Sequence, residues 1–174
     1  MEASFPLPAP FKRFEENDAL FYRGAVTLLA GPPGSGKTIS SLNFVNRLKV
    51  PTLYVSNDST RYTVINRVFS MLTGREMAVS KEIIENNPEL ASIQLQRWSQ
   101  VRFDFNSKPD VSEIVNHGEA FRELFGEYPH LTVVDILMNI DHEGVAEQNY
   151  WRLMPALKEI ASEQNTALLA VHHT

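Results

Sequence analysis

The sequence predicts an α/β fold: a mainly parallel, twisted sheet of about five strands flanked by helices. Three observations predict it. Short apolar runs of strand type alternate with longer stretches whose apolar residues recur at helical spacing. The first such run leads directly into a glycine-rich loop and then a helix. Each later run meets polar residues at its end: Asn57 and Asp58, then Asp135, then His172 and His173. Alternating strands and helices imply parallel pairing with right-handed crossovers. That topology gathers the carboxyl ends of the strands on one edge, where α/β sheets carry their sites.

Residues 1–20 read as an arm or linker, with Pro6, Pro8 and Pro10 favouring extended chain. Such a segment is either a disordered tail or one that docks on a neighbouring subunit. The core is assigned to residues 21–174. Ala25 to Ala30 is the first strand. Ile39, Leu42, Val45 and Leu48 then mark a helix, with Arg47 and Lys49 suited to its negative pole. Thr52 to Ser56 is the second strand. Tyr62 to Leu72 is a helix that Gly74 stops. Ser80 to Trp98 reads as two short helices broken near Asn87-Pro88. Val101 to Phe105 alternates like a half-buried edge strand. Asp110 or Ser112 caps a helix ending at Gly126. Leu131 to Asp135 is another strand. Tyr150, Leu153, Met154, Leu157, Ile160 and Ala161 form a helical stripe that Pro155 must kink or begin. Thr166 to Val171 is the last strand.

Gly31-Pro32-Pro33-Gly34-Ser35-Gly36-Lys37-Thr38 has the spacing G-x-x-x-x-G-K-[ST]. Glycines allow the backbone to curl so that successive N–H groups point at phosphate oxygens. Lys37 supplies a point charge for the β- and γ-phosphates, and the Thr38 hydroxyl is a hard ligand for Mg2+. The following helix presents its N-terminus to the anion. ATP with Mg2+ is the ligand this pattern implies. Asp135 then suits a metal-bound water beside Thr38. Ile136 stands where many ATPases carry a glutamate, so the base that orients water must come from elsewhere. Asp58 is the first candidate; the alternative is that Asp58 and Ser59 only cap the next helix. Glu143 and Glu147 are rival bases. Either His172 or His173 suits a group that reads the γ-phosphate, since neighbours on a strand point apart. The same divergence argues against a zinc site.

The 174 residues suffice for one sizeable core. The net charge of −5 gives no sign of a nucleic-acid binder, although a local basic face can hide in it. The absence of cysteine excludes disulfides and thiolate metal sites. No apolar run is long enough for a membrane span, and Met1 to Phe11 lacks the basic start of a signal peptide.

Four stretches carry a resemblance to the RecA-like P-loop ATPases, in the branch of RepA-type and DnaB-type hexameric helicases and KaiC-like ATPases. RGAVTLLAGPPGSGKT resembles the first strand and phosphate loop of that family. LYVSNDSTRYTVINRV resembles its second strand, which normally ends in a catalytic glutamate and leads to a helix bearing an arginine. LTVVDIL with AEQN resembles its metal-aspartate strand and following loop. LLAVHHT resembles its sensor strand. The resemblance implies phosphate and Mg2+ binding by Lys37 and Thr38, the metal water on Asp135, the base role on Asp58 and the sensor role on His172 or His173. Asp58 is one methylene shorter than the family's glutamate. The family also continues beyond the equivalent of Thr174, so a C-terminal truncation is expected.

The resemblance implies a cytoplasmic protein of bacterial or phage-like type, working as a homo-oligomer, hexamer or filament. Three activities follow from it: an oligomeric helicase or replication motor on single-stranded DNA; a KaiC-like or recombination-mediator ATPase acting on protein partners; and a nucleotide-dependent binding module with little hydrolysis. The stretch from Leu137 to Trp151 holds Asp141, Glu143 and Glu147 and no lysine or arginine. It is a poor contact for a phosphate backbone, so any DNA contact must come mostly from elsewhere. A small-molecule kinase would need an arginine-rich lid, and no such run is present.

Overall fold

The computed structural model describes residues 5–141 and 150–174. Five parallel strands form one sheet in the order β1-β5-β4-β2-β3. They are β1 (Val26–Gly31), β2 (Thr52–Ser56), β3 (Val101–Asp104), β4 (Leu131–Asp135) and β5 (Ala167–His173). The three inner strands are the most apolar; β2 and β4 are buried throughout, as strands covered on both faces must be. β3 lies at an edge, as its alternation requires. β5 runs two residues further than its apolar stretch, so His172 and His173 belong to the strand and pair with Ala30 and Gly31.

Alternate residues of the strands feed two layers. Tyr54, Val133, Leu169 and Val171 pack with Leu42, Phe44, Val45 and Leu48 of α2 (Lys37–Leu48) and Val64 and Val68 of α3 (Arg61–Thr73). Val134, Leu168 and Ala170 pack with Ile114 of α6 (Val111–Phe125) and Leu157 and Ile160 of α7 (Met154–Glu163). The stripe expected on α2 is displaced by part of a turn. Ile39 is exposed, while Ser41 and Phe44 are buried, because the sheet lies against the flank of α2 that carries them.

Turn chemistry sets the helix ends. Gly74 and Gly126 take the left-handed conformation that closes α3 and α6. Asp110, rather than Ser112, caps α6 through a reciprocal box with Glu113. Pro155 stands in the first turn of α7 and marks its start, where its missing N–H costs nothing. Between α3 and β3 lie α4 (Met77–Asn86) and α5 (Pro88–Leu95), divided at Asn87, whose side chain accepts from the Leu90 N–H.

From residue 5 onward, the segment before β1 lies on the chain's own core. Leu7 N–H donates to the Phe21 carbonyl at 2.7 Å, and Leu7 is buried. A short helix, α1 (Lys12–Glu16), brings the Phe14 ring to 5.5 Å from that of Phe44, and Phe11 to 6.1 Å. The Arg47 guanidinium stacks 4.3 Å over Phe11. Phe44 and Arg47 of α2 thus hold the segment through its aromatic side chains. Among the described residues, no helix is long and apolar enough to cross a membrane.

Candidate functional site

The loop after β1 turns back on itself where Ser35 N–H donates to the Pro32 carbonyl at 3.2 Å. Gly34 and Gly36 have φ of +76° and +85°, with open space where a side chain would stand. Any L side chain there is strained by the backbone alone. Lys37 is buried. Its Nζ donates to the carbonyls of Gly31 (2.6 Å) and Pro32 (2.7 Å) and lies 3.4 Å from Ser35 Oγ. A cation is thereby held inside the curl of the loop, beside the first turn of α2, whose N–H groups have no partner within the helix.

Asp135 ends β4 on the same sheet face as α2, and it is 4 % exposed. Tyr54 Oη donates to Asp135 Oδ2 at 2.7 Å and lies 2.6 Å from Ser41 Oγ. Ser41 Oγ also lies 2.9 Å from the Thr38 carbonyl, so its single proton is shared between that carbonyl and the phenol oxygen. Burial raises the Asp135 carboxyl above the usual carboxylate range; hydrogen bonds from Tyr54 and Thr38 pull it back, and the charge of Asp58 pushes it up. Burial also lifts the Tyr54 hydroxyl well above its usual range, with Asp135 adding to the effect, so Tyr54 stays a donor. The fold therefore brings Lys37, Thr38 and Asp135 together, although about a hundred residues of sequence separate the loop from the aspartate.

Asn57 and Asp58 follow β2 and part company. Asn57 is buried and grips both backbone polar groups of Ile136, next to Asp135. Its Oδ1 accepts from Ile136 N–H (2.5 Å), and its Nδ2 donates to the Ile136 carbonyl (2.9 Å). Its own N–H donates to the Asp135 carbonyl (2.9 Å), and Asn139 Nδ2 donates to its carbonyl (3.1 Å). The Asp135–Ile136 peptide is cis. Asn57→Ala leaves a buried N–H and C=O without partners. We expect it to destabilise the fold by about 2–4 kcal/mol, read as a lower denaturant midpoint.

Asp58 is exposed, and its charge reaches Asp135. It does not cap α3: that role belongs to Thr60, whose hydroxyl accepts from Thr63 N–H at 3.3 Å. Arg67, on α3, donates to Ser59 Oγ at 3.3 Å, and its charge reaches Tyr54 and Asp135. Glu143 and Glu147, with the AEQN stretch, lie outside the described residues.

The alternation that sends Leu169 and Val171 to the α2 face and Leu168 and Ala170 to the α6–α7 face assigns His173 to the first and His172 to the second. Electrostatics leans the other way. Burial, then His173 and Lys37, hold the His172 imidazole below its usual range. The end of β5 touches the loop directly, since Thr174 N–H donates to the Gly31 carbonyl at 3.2 Å. Gly31 therefore serves both Lys37 and the last strand.

Tyr54, Ser41, Asn57 and Arg67 carry site geometry that the sequence reading left without a role. Tyr54 had one signal: a phenol in a strand that is otherwise buried must find a partner for its hydroxyl. Asn57 had none, because a strand-end asparagine reads equally well as a turn residue.

No family model matches the chain. It is similar to the Gene 65 protein of Mycobacterium phage L5, 29% identical over 176 residues, covering 98% of this chain and 66% of that protein. The Gene 65 protein of Mycobacterium phage D29 is 30% identical over 162 residues, covering 85% of this chain and 66% of that protein. The chain thus spans just under two thirds of the length of these relatives. Among solved structures, a DnaB-like replicative helicase, studied with its interactions with primase, superposes with a TM-score of 0.78 at 15% identity, covering 96% of this chain and 43% of that one. A second solved chain, described as an ATPase domain, superposes with a TM-score of 0.79 at 15% identity, covering 98% of this chain and 66% of that one. With the strand–loop–helix order and the parallel sheet already described, these likenesses show that the chain has the RecA-like P-loop fold found in DnaB-type helicase ATPase domains.

Proposed function

We propose that residues 21–174 bind and hydrolyse ATP with Mg2+, as the motor core of an oligomeric DNA helicase or replication ATPase, with residues 1–20 as its arm or linker. The observation that carries this reading is the positive-φ loop that encloses Lys37, with Asp135 tied to the start of α2 beside it through Tyr54 and Ser41. The residues suit the ligands. An open, positive-φ loop with an enclosed lysine matches a polyphosphate. A buried carboxylate tied to the first turn of the helix that carries the Thr38 hydroxyl matches a hydrated divalent cation. In this reading the loop of Gly31, Pro32, Pro33, Gly34, Ser35 and Gly36 cradles the phosphates, with backbone N–H groups from all but the prolines. Lys37 exchanges its carbonyl partners for phosphate oxygens. Thr38 and Asp135 hold the cation, directly and through water. Mg2+, when bound, neutralises charge developing on the β- and γ-oxygens.

Asp58 orients a water whose oxygen attacks the γ-phosphorus and accepts its proton as the bond to the β-phosphate oxygen breaks and ADP leaves. His172 or His173 reads the γ-phosphate and passes its state to the end of β5. Single-stranded DNA and further copies of the chain, in a hexamer or filament, are the partners; the compartment implied is the cytoplasm of a bacterial, phage-infected cell. The support is the fold shared with a DnaB-like helicase and the relatives from phages.

A second reading, a KaiC-like or recombination-mediator ATPase, draws on the described residues 137–141, which offer no cation to DNA. A third, a binding module with little hydrolysis, draws on the short reach of Asp58. ATP turnover measured with and without single-stranded DNA, over a range of protein concentration, separates them. We expect a rate that rises with both. A rate indifferent to DNA overturns the motor reading in favour of the second. Tight binding with no product overturns it in favour of the third.

A further inference from the structure

Tyr54 lies under the phosphate loop yet cannot touch a nucleotide: it is fully buried in β2, its ring packed against Phe103 at 5.3 Å. Its hydroxyl nevertheless joins the two halves of the proposed site. On one side it donates to Asp135 Oδ2, at the end of β4 (2.7 Å). On the other it meets Ser41 Oγ (2.6 Å), one turn into α2, and that hydroxyl reaches back to the carbonyl of Thr38 (2.9 Å). The four residues form a continuous run of contacts: carboxylate, phenol, hydroxyl and the backbone carbonyl of Thr38.

A carboxylate at a strand end can rotate about its Cβ–Cγ bond, and each orientation presents a different oxygen to the helix. Tyr54 occupies Oδ2 and removes that freedom, so the other oxygen is fixed in relation to Thr38. Ser41 fixes the phenol in relation to the first turn of α2. Buried polar groups that are fully partnered in this way rigidify a site, and partners that orient a ligand-holding carboxylate tune affinity without touching the cation.

We infer that Tyr54 is a positioning residue, which with Ser41 locks Asp135 against Thr38 and so sets the affinity of the site for a divalent cation alongside a nucleotide. This inference rests on the proposed ATP and Mg2+ site and names a determinant of it.

The test is Tyr54→Phe in the full chain, which keeps the ring and its packing and removes one oxygen. Binding of a fluorescent, non-hydrolysable ATP analogue is titrated in EDTA and then with increasing Mg2+. The expected result is a half-saturating Mg2+ concentration raised on the order of 10-fold, with affinity in EDTA unchanged. Ser41→Ala, which leaves the Tyr54–Asp135 bond in place, shifts it in the same direction by less. It serves as the test on its own if Tyr54→Phe does not fold. An unchanged Mg2+ dependence in both variants overturns the inference. Equal loss of binding with and without Mg2+ also overturns it, since that is general loosening of the core. If the unmodified protein binds the analogue with no dependence on Mg2+, the proposed metal site itself falls. The inference then falls with it, a result distinct from a Mg2+-dependent parent with indifferent variants.

Discussion

Lys37→Ala is expected to remove ATP turnover almost entirely while leaving the fold intact. The reason lies in where the ammonium sits. It is enclosed by the loop and bonded to two of its carbonyls, at 2.6 and 2.7 Å from Gly31 and Pro32. A polyphosphate entering the loop competes for those bonds with charge-assisted bonds of its own, which are roughly twice as strong as neutral ones. Without the lysine, the loop keeps its N–H groups and the dipole of α2 but loses the one fixed charge inside it. Loss of a single preorganised group facing developing charge costs about 10²–10³-fold in rate. We expect at least that loss in kcat/KM for ATP. The freed carbonyls lie at the mouth of an open loop, where water can replace the ammonium, so the melting temperature should move little. A variant that still turns over ATP at near the parental rate would remove the loop from the mechanism.

Asp135→Asn is the second large effect, and it runs in opposite directions for activity and stability. The carboxylate is buried, and burial is the main cause of its raised pKa. The folded protein therefore holds this proton more tightly than the unfolded chain does. The corresponding stability is fully present below the ordinary carboxylate value and is lost as pH rises through the window between that value and the raised folded one. Above that window the metal-free fold carries the cost of a buried charge. Asparagine has the same shape, keeps an oxygen for the Tyr54 hydroxyl and carries no charge. In EDTA at neutral pH the variant should melt higher than the parent, by about 2–4 °C for each 1 kcal/mol recovered. The gap should close in acid, where the parent is neutral too. Turnover should fall about 10–100-fold, the usual cost of removing a group that orients a metal-bound water. Parallel melting curves at both pH values would show that Asp135 does not carry the cost of a buried charge.

Some of this protein was legible in the residues alone. Local chemistry wrote the strand–loop–helix unit, because the loop glycines, the lysine and the helix that follows are contiguous and need no distant partner to be recognised. The same holds for Gly74 and Gly126 as helix stops and for Pro155 as a helix start, where one residue's backbone restriction decides the outcome. The parallel sheet followed from alternation of short apolar runs with helical stretches.

Other features were not written locally. Ile39 has the spacing of a core residue, yet it faces outward; which flank of α2 meets the sheet depends on the crossing of helix and strands. Arg47 and Lys49 suit a helix end by charge, yet Arg47 is engaged by the Phe11 ring, a contact across the fold. Asp58 and Asn57 are neighbours in sequence and similar in size. Only the pairing of Ser56 with Asp135 in adjacent strands decides that one is buried on a peptide of the next strand while the other faces solvent. The sequence by itself determined the phosphate loop, the order of elements and the fold class, since those rest on local backbone preference and hydrophobic period. The tertiary structure alone decided the Asp135–Tyr54–Ser41–Thr38 relay and the Asn57 clamp. Hydrogen bonds between residues as much as 82 positions apart depend on strand register, which no local pattern encodes.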